Sequence, residues 1–172
     1  MDQITKPMKG PGQGPGAVAN GFFDEVRDMP GHMLRRFQQI AVSIFLRDCK
    51  AFDLTPVQFS VLAALAQSSP LDQIRLGGLA ALDRTTISLT VRKLEERGLV
   101  ARQVSAKDRR ARLISLTAEG QALADEALPT VRAIQDKILA PLSASERELF
   151  RALLHKAVEA NNQQSRAPLR CL

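Results

Sequence analysis

The amino-acid sequence predicts a mainly α-helical protein with one small β-hairpin. Apolar residues recur at helical spacing from Met33 to Cys49, which is typical of an amphipathic helix. Two capping boxes, TPVQ at 55–58 and SASE at 143–146, each mark the start of a further helix. Two β-like runs, at 99–105 and 111–116, flank the polar loop AKDRR and indicate a hairpin. At 172 residues the chain is long enough for one domain with a hydrophobic core.

The middle of the chain is predicted to hold a short helix, a tight turn and a second helix. The short helix spans about 72–80 and is followed by a turn at Ala81-Leu82. Asp83 is suited to cap the next helix, which runs from Arg84 to Arg97 and ends at the glycine that follows. Beyond the hairpin, Thr117 is predicted to cap a long helix that reaches about residue 139.

Both ends of the chain are predicted to lie outside the folded domain. Residues 1–31 hold six of the ten glycines and four of the nine prolines, and the run KGPGQGPG suits neither a helix nor a strand. We therefore interpret 1–31 as a flexible arm and 32–162 as the folded domain. The polar tail at 163–172 is predicted to be loose.

Several classes of protein are disfavoured by what the sequence lacks. No apolar run approaches the roughly 18 residues of a membrane-spanning helix, and the N-terminus has no hydrophobic signal core, so we expect a cytoplasmic protein without membrane contact. Two cysteines are too few for a disulfide framework or a four-cysteine zinc site. Neither His32 nor His155 has a partner at metal-ligand spacing, and no catalytic motif is present. We therefore expect no enzyme activity, no catalytic residue, no metal and no cofactor.

The positive charge of the chain is concentrated in one segment. The chain has 24 basic and 18 acidic side chains, which gives a net charge of +6. Residues 84–112 hold nine basic and three acidic side chains, so this segment accounts for the whole excess. Such a concentration is typical of a nucleic-acid-binding surface. A solvated basic face is the alternative, and charge alone does not decide between the two.

The order of short helix, tight turn, capped helix and basic hairpin suits DNA recognition. An α-helix fits the major groove, and a helix-turn-helix presents base-reading side chains from its second helix. Arginine at a hairpin tip suits the narrow minor groove. The residues predicted to contact DNA are Arg84, Thr85, Thr86, Ser88, Leu89, Arg92 and Lys93 on the helix, and Arg109, Arg110 and Arg112 on the hairpin. For the three hydroxyl side chains, a local bond to the backbone is the alternative.

The sequence resembles the MarR family of winged helix-turn-helix regulators over about residues 30–162. Two segments that carry the resemblance are FDLTPVQFSVLAAL, at 52–65, and LDRTTISLTVRKLEERGLVAR, at 82–102. The third is DRRARLISLTAEG, at 108–120, which is similar to the wing signature of the family. This last string is the most specific of the three.

The resemblance implies a fold, an assembly and a DNA target. It implies a winged helix-turn-helix at about 55–117 and a homodimer formed through the helices at 32–50 and 118–161. Such a dimer binds a near-palindromic operator in double-stranded DNA. The resemblance also implies that Arg110 reaches the minor groove and that Asp108 pairs with it. From the residues alone, an ordinary surface ion pair between Asp108 and Arg110 is the alternative.

A further stretch, MPGHMLRRFQQIAVSIF at 29–45, is similar to repressors of aromatic-acid catabolism, including nicotinate-degradation regulators. His32, Arg36 and Gln39 are spaced to share one side of a helix. A cation and a histidine suit a carboxylate and an aromatic ring, so these residues are candidate effector ligands. Local packing or ion pairing is the alternative for them. Phe59 is either a core residue or an apolar wall of that site.

We therefore predict a sequence-specific, homodimeric repressor that a small aromatic carboxylate releases from its operator. Two alternatives stay open. A redox-responsive repressor would react through Cys49, although no cluster of positive charge surrounds this residue to stabilise a thiolate. A nonspecific architectural protein would bind DNA without the roughly thousandfold preference that a repressor shows for its operator.

Overall fold

A computed structural model describes residues 21–104 and 112–170 of the chain. Its helices and strands, in chain order, are α1 (Phe22–Asp28), α2 (Pro30–Asp48), α3 (Pro56–Gln67), β1 (Leu71–Asp72), α4 (Gln73–Leu79), α5 (Arg84–Glu96), β2 (Val100–Val104), β3 (Arg112–Leu116), α6 (Ala118–Ile138) and α7 (Ala144–Asn161). Short 3₁₀ turns follow α2 at Lys50–Phe52 and α7 at Asn162–Gln164. The predicted class, mainly α with a small β-wing, is confirmed. Within these ranges, no helix combines the length and apolar character needed to cross a bilayer.

The chain divides into two compact units, with the boundary inside α2 between Gln38 and Gln39. The described part of the N-terminal unit consists of α1 and the first half of α2. The prediction that residues 1–31 lack regular structure is wrong for α1. That helix has acidic residues in its first turn and a basic one in its last, which complements the helix dipole. Residues 1–20 lie outside the described residues.

The core of the larger unit is built from α3, α4, α5, β3 and α6. Its largest fully buried aliphatic side chains are Val61, Leu62, Leu65, Leu76, Ile87, Val91, Leu94, Ile114 and Ile134. Helix α3 contributes three of these, as its nearly uniform apolar sequence predicts. Fully burying one aliphatic side chain of this size contributes roughly 1.5–3 kcal/mol, so the core sets the stability of the unit.

Both predicted capping boxes are present. The Thr55 hydroxyl accepts a hydrogen bond from the Gln58 backbone N–H at 3.2 Å, and the Gln58 side-chain oxygen accepts one from the Thr55 N–H at 2.9 Å. Ser143 and Glu146 form the same reciprocal pair at the start of α7. Each pair satisfies two backbone donors that a helix start would otherwise leave without partners.

The sheet has three antiparallel strands in the order β1-β3-β2. Strands β2 and β3 form the predicted hairpin, with Val100 opposite Leu116 and Val104 opposite Arg112. Residues 105–111, between these strands in the sequence, lie outside the described residues. Strand β1 was not predicted, and it pairs Leu71 with Ile114. The connection between α3 and α4 is therefore tied to the hairpin.

A tight joint connects the end of α5 with the start of α6, and we define it by Gly98, Leu99, Thr117 and Gly120. Gly98 has a φ of +70°, which favours glycine. The Thr117 hydroxyl donates to the Gly98 carbonyl at 2.7 Å and accepts from the Gly120 N–H at 3.0 Å. Gly120 lies so close to Leu99 that a Cβ on it would be 2.0 Å from the Leu99 carbonyl oxygen. The joint therefore depends on glycine at this position.

An ion-pair cluster connects the last turns of α2 and α6 in the larger unit. The Asp48 carboxylate accepts from Arg47 Nε at 2.7 Å and from Lys137 Nζ at 2.8 Å. These two hydrogen bonds, with that from Arg47 the larger cause, lower the pKa of Asp48 to about 2. Because the folded-state pKa lies below the ordinary value, the cluster stabilises the fold above that value and is lost as the pH falls towards 2.

We expect Asp48→Asn to lower the free energy of unfolding at neutral pH. The difference from the wild type should shrink as the pH falls from about 5 to about 2, because the wild-type carboxylate is protonated in that window. Urea unfolding at several pH values measures this difference. Asp136→Asn, which changes an exposed carboxylate on α6, is the matched control. A destabilisation that does not vary with pH would contradict the expected role of Asp48.

Candidate nucleic-acid interface

The interface begins with α4, a tight turn and α5. Asp72 caps α4, since its Oδ1 accepts from the N–H groups of Ile74 and Arg75, both at 2.9 Å. The turn closes where the Leu82 N–H donates to the Gly77 carbonyl at 2.8 Å. The predicted short helix and turn are therefore confirmed, and they place α5 directly after α4.

Asp83 caps α5, as the sequence predicts. Its Oδ1 accepts from the N–H groups of Thr85 and Thr86, at 3.0 and 2.9 Å, and its Oδ2 accepts from the Thr86 hydroxyl at 3.1 Å. The backbone bond from Thr86 is the main cause that lowers the pKa of Asp83. Half-buried Thr86 thus belongs to the cap. Its hydroxyl donates to the Asp83 side chain and not to the backbone, and its predicted contact with DNA stays a prediction.

The rest of α5 has one buried face and one exposed face. Ile87, Thr90, Val91 and Leu94 are buried against the core. The predicted contact residues on the exposed side are Arg84, Thr85, Ser88, Leu89, Arg92 and Lys93. Leu89 is 45% exposed among polar neighbours, an arrangement that suits contact with a thymine methyl group. The DNA contacts themselves stay a prediction.

Some basic side chains of residues 84–112 are engaged in contacts within the protein and are not available to bind DNA. The Arg97 guanidinium donates to the carbonyls of Phe52 and Asp53, at 3.1 and 2.5 Å, and so secures the chain after α2. Arg102 on β2 pairs with Glu95 on α5 at 3.5 Å. Only part of the charge concentration is therefore available to a polyanion.

The hairpin contributes one predicted contact residue that the structure describes. Arg112 is the first residue of β3, and its side chain is exposed. Asp108, Arg109 and Arg110 lie in 105–111, outside the described residues. Their predicted contacts with the minor groove stay predictions.

Two arginines that the sequence analysis missed lie beside this surface. The tail at 163–172 was predicted to be loose, but this is wrong for its described part. The Arg170 backbone N–H donates to the Gly78 carbonyl at 3.0 Å, so the tail contacts α4. Arg166 and Arg170 line one cleft of about 660 Å³ together with Arg84 and Arg112. The only sequence signal was the Gly77-Gly78 pair, which leaves room for another backbone.

The four predicted effector residues fall on both units. His32 lies in the N-terminal unit, half-buried, with its ring edge-on to Phe23 at 6.1 Å, as the local-packing alternative expects. Arg36 is exposed in the same unit, and Gln39 begins the larger unit. Phe59 packs beside Phe45 at the edge of the core, with 6.3 Å between ring centroids. Effector binding by these residues stays a prediction.

Cys49 is an unfavourable redox centre. Its side chain is fully buried, and burial, with a smaller effect of the Asp48 charge, raises the pKa of the thiol. A reactive cysteine needs an accessible thiolate, so the structure disfavours the redox alternative for Cys49. Among residues 21–104 and 112–170, no cluster of three or more histidine, cysteine or acidic side chains is arranged to hold a metal ion.

A short helix, a tight turn, a capped second helix with an exposed polar face and an antiparallel hairpin define a winged helix-turn-helix DNA-binding protein. The MarR family profile matches residues 54–111. The repressor NicR of Pseudomonas putida is 34% identical over 161 residues, which cover 94% of this chain and 98% of NicR. The chain belongs to the MarR family, whose members are transcriptional regulators and not enzymes.

Solved structures agree with this assignment. BpsR of Bordetella bronchiseptica, described with the regulation of its DNA binding by 6-hydroxynicotinic acid, is 32% identical. It has a TM-score of 0.72, and the match covers 76% of this chain and 94% of BpsR. The repressor CouR, bound to a 23-mer DNA duplex, is 27% identical with a TM-score of 0.73. That match covers 83% of this chain and 99% of CouR. The resemblance of the sequence to the family is thus confirmed.

Proposed function

We propose that this protein is a homodimeric repressor that binds a near-palindromic operator and is released by a small aromatic carboxylate. The observation that carries the proposal is the exposed face of α5, where Thr85, Ser88, Leu89 and Arg92 stand opposite the buried face. Hydroxyl and guanidinium groups match base edges and phosphates, and the helix fits a major groove. Such a protein acts where the genome lies, which is the cytoplasm in bacteria such as those of its relatives.

Exposed apolar side chains support the homodimer. In the N-terminal unit, Phe22 is 84% exposed, and Phe23, Met33 and Leu34 are also exposed. On α7 of the larger unit, Leu149 is 59% exposed, and Leu153 and Val158 are exposed as well. Leu149 and Leu153 lie one turn apart on the same side of α7, and a contiguous apolar patch is typical of a protein–protein contact. A second copy of the chain, joined through the terminal helices, would bury them.

One relative supports the class of effector and another supports repression. The DNA binding of BpsR is described as regulated by 6-hydroxynicotinic acid, and NicR is named a repressor. In this chain, His32 and Arg36 lie four residues apart on α2 and offer a ring and a cation to an aromatic carboxylate. The effector must bind one dimer geometry more tightly than the other, because equal affinity would shift no population. The DNA-bound geometry sets the two α5 helices about 34 Å apart.

Fluorescence anisotropy with the DNA upstream of the protein's own gene tests the proposal. We expect the dimer to bind that DNA about a thousandfold more tightly than a scrambled duplex. Among benzoate, hydroxybenzoates, nicotinate and 6-hydroxynicotinate, at least one should release the operator. Equal affinity for both duplexes would contradict the proposal that the protein is a sequence-specific repressor. If none of these acids released the operator, the proposed class of effector would be wrong.

Arg36→Ala separates effector binding from DNA binding. We expect this variant to bind the operator as the wild type does and to need at least about tenfold more acid for release, because a charge-assisted hydrogen bond is lost. Arg132→Ala, an exposed arginine on α6, controls for the change in net charge. An unchanged acid response of Arg36→Ala would remove Arg36 from the effector site.

A further inference from the structure

We propose that the C-terminal tail, residues 162–170, is an additional DNA-binding element in which Arg166 and Arg170 contact the phosphate backbone. The inference rests on the proposed DNA-binding function and deepens it. Neither the winged helix-turn-helix motif nor the charge-rich segment at 84–112 includes these residues. The chain instead returns after α7 and brings its end against the motif.

The tail is held in a defined loop. The Asn162 side chain makes two hydrogen bonds with Leu169: its Nδ2 donates to the Leu169 carbonyl at 3.0 Å, and its Oδ1 accepts from the Leu169 N–H at 2.8 Å. Within the loop, the Ser165 hydroxyl accepts from the Ala167 N–H at 3.1 Å. These bonds close residues 162–169 on themselves, so the following residue is directed at α4.

The tail contacts α4 at a glycine, Gly78. The Gly78 carbonyl accepts the Arg170 N–H at 3.0 Å. A Cβ on Gly78 would lie 3.1 Å from the Arg170 Cβ and 3.4 Å from its Cδ. That spacing is tighter than ordinary van der Waals contact, so a larger residue at position 78 would push the tail away. The absence of a side chain here therefore allows the backbone of the tail to approach the helix.

The docked tail creates a positively charged cleft. The cleft of about 660 Å³ is lined by four arginines, Arg84, Arg112, Arg166 and Arg170, and by two aspartates, Asp72 and Asp83. Backbone N–H groups bond to Oδ1 of each aspartate, because Asp72 and Asp83 cap α4 and α5, and Asp83 also attracts Arg166. The four arginines outnumber the two aspartates, and this net positive charge makes the cleft a site for an anion. The cleft lies along α4 and the start of α5, and the first helix of such a motif crosses the DNA backbone.

The charge of the tail distinguishes a role in binding DNA from a role in blocking the DNA surface. A tail that blocked the DNA surface would be acidic, because it would have to replace phosphates against Arg84 and Arg112. Residues 162–170 instead include two arginines and no acidic residue. Asp83 attracts Arg166, but the cleft still holds more arginines than aspartates, and a DNA phosphate there would balance this excess of positive charge. The tail therefore adds to DNA binding.

The salt dependence of operator binding tests this role. In Arg166→Ala/Arg170→Ala, the slope of log K against log salt should become less steep by about two, and operator affinity should fall at least about tenfold near physiological salt. Lys50→Ala/Arg132→Ala removes the same charge from exposed positions after α2 and on α6 and should keep the slope. A chain that ends at Asn162 should lose as much operator affinity as the double variant. Gly78→Val tests docking independently, since it keeps both arginines and should still weaken binding.

The outcomes separate this inference from the proposed function. If the wild type prefers its operator but Arg166→Ala/Arg170→Ala keeps the wild-type slope, the tail does not contact DNA. If removal of the tail tightens binding, the tail is an occluding segment and the inference is wrong. If inorganic phosphate displaces DNA from the wild type but not from Arg166→Ala/Arg170→Ala, and the two proteins have the same salt slope, the cleft is a small-anion site instead. If the wild type shows no operator preference, the proposed function itself fails.

Discussion

Replacing Gly120 with alanine should lower the free energy of unfolding by about 3 kcal/mol or more. The added Cβ would lie 2.0 Å from the Leu99 carbonyl oxygen and 3.0 Å from the Leu116 Cδ1. A backbone oxygen cannot rotate away as a flexible side chain does, so the first turn of α6 must move, with a cost at the upper end of that for overpacking. Urea and thermal unfolding measure the loss. The Thr117 cap, which holds the same turn, should be disturbed as well.

Gly31→Ala is the matched control for Gly120→Ala. Gly31 also lies in a helix, near the start of α2, but nothing is within 4 Å of the position of its Cβ. Alanine is the better helix former by up to about 1 kcal/mol, so this variant should be as stable as the wild type or slightly more stable. If Gly120→Ala unfolds at the same urea concentration as Gly31→Ala, the close approach at the joint does not constrain the fold.

Replacing both Arg84 and Arg92 with alanine should weaken operator binding about a hundredfold or more. Arg84 begins α5 and Arg92 lies two turns further along, and both side chains are exposed. The Arg92–Glu96 pair, at 3.8 Å and exposed to solvent, is too weak to prevent contact with DNA. An arginine that pairs with guanine contributes roughly 1–3 kcal/mol, so two such losses reach this range.

A scrambled duplex and the control Arg132→Ala complete this test. Affinity for the operator should fall more than affinity for the scrambled duplex, because base contacts are lost along with charge. Stability should be unchanged, since both arginines are on the surface. A double variant that binds the operator as tightly as the wild type would exclude the exposed face of α5 as the reading surface.

Local signals explain what the sequence predicted well. The starts of α3 and α7 follow from capping boxes that span only four residues each, and the hairpin follows from two β-like runs around one polar loop. Helix α2 follows from apolar residues at helical spacing. In each of these elements, the residues that determine the structure are neighbours in the chain, so the local sequence pattern is enough to predict the element.

Apart from α1, the features that the sequence analysis missed depend on contacts between distant residues. Strand β1 has two residues, and its pairing of Leu71 with Ile114 gives no local pattern. The docking of the tail requires Asn162, Leu169 and Gly78 together. Arg97 was counted in the basic segment at 84–112, but its bonds to the carbonyls of Phe52 and Asp53 give it a structural role. Composition therefore located the candidate interface without identifying which cations are available there.

The joint at Gly98 and Gly120 fixes the start of α6 to the end of α5. A rotation between these two helices would therefore move the far end of α6 the most. At about 1.5 Å per residue, the 21 residues of α6 span about 31 Å. A rotation of about 5° about the joint would move the far end by about 3 Å, given this length. The far end carries Lys137, which is bonded to Asp48 on α2. A label near Lys137 should therefore report a rotation of about 5° between α5 and α6 as a displacement of about 3 Å, given this length.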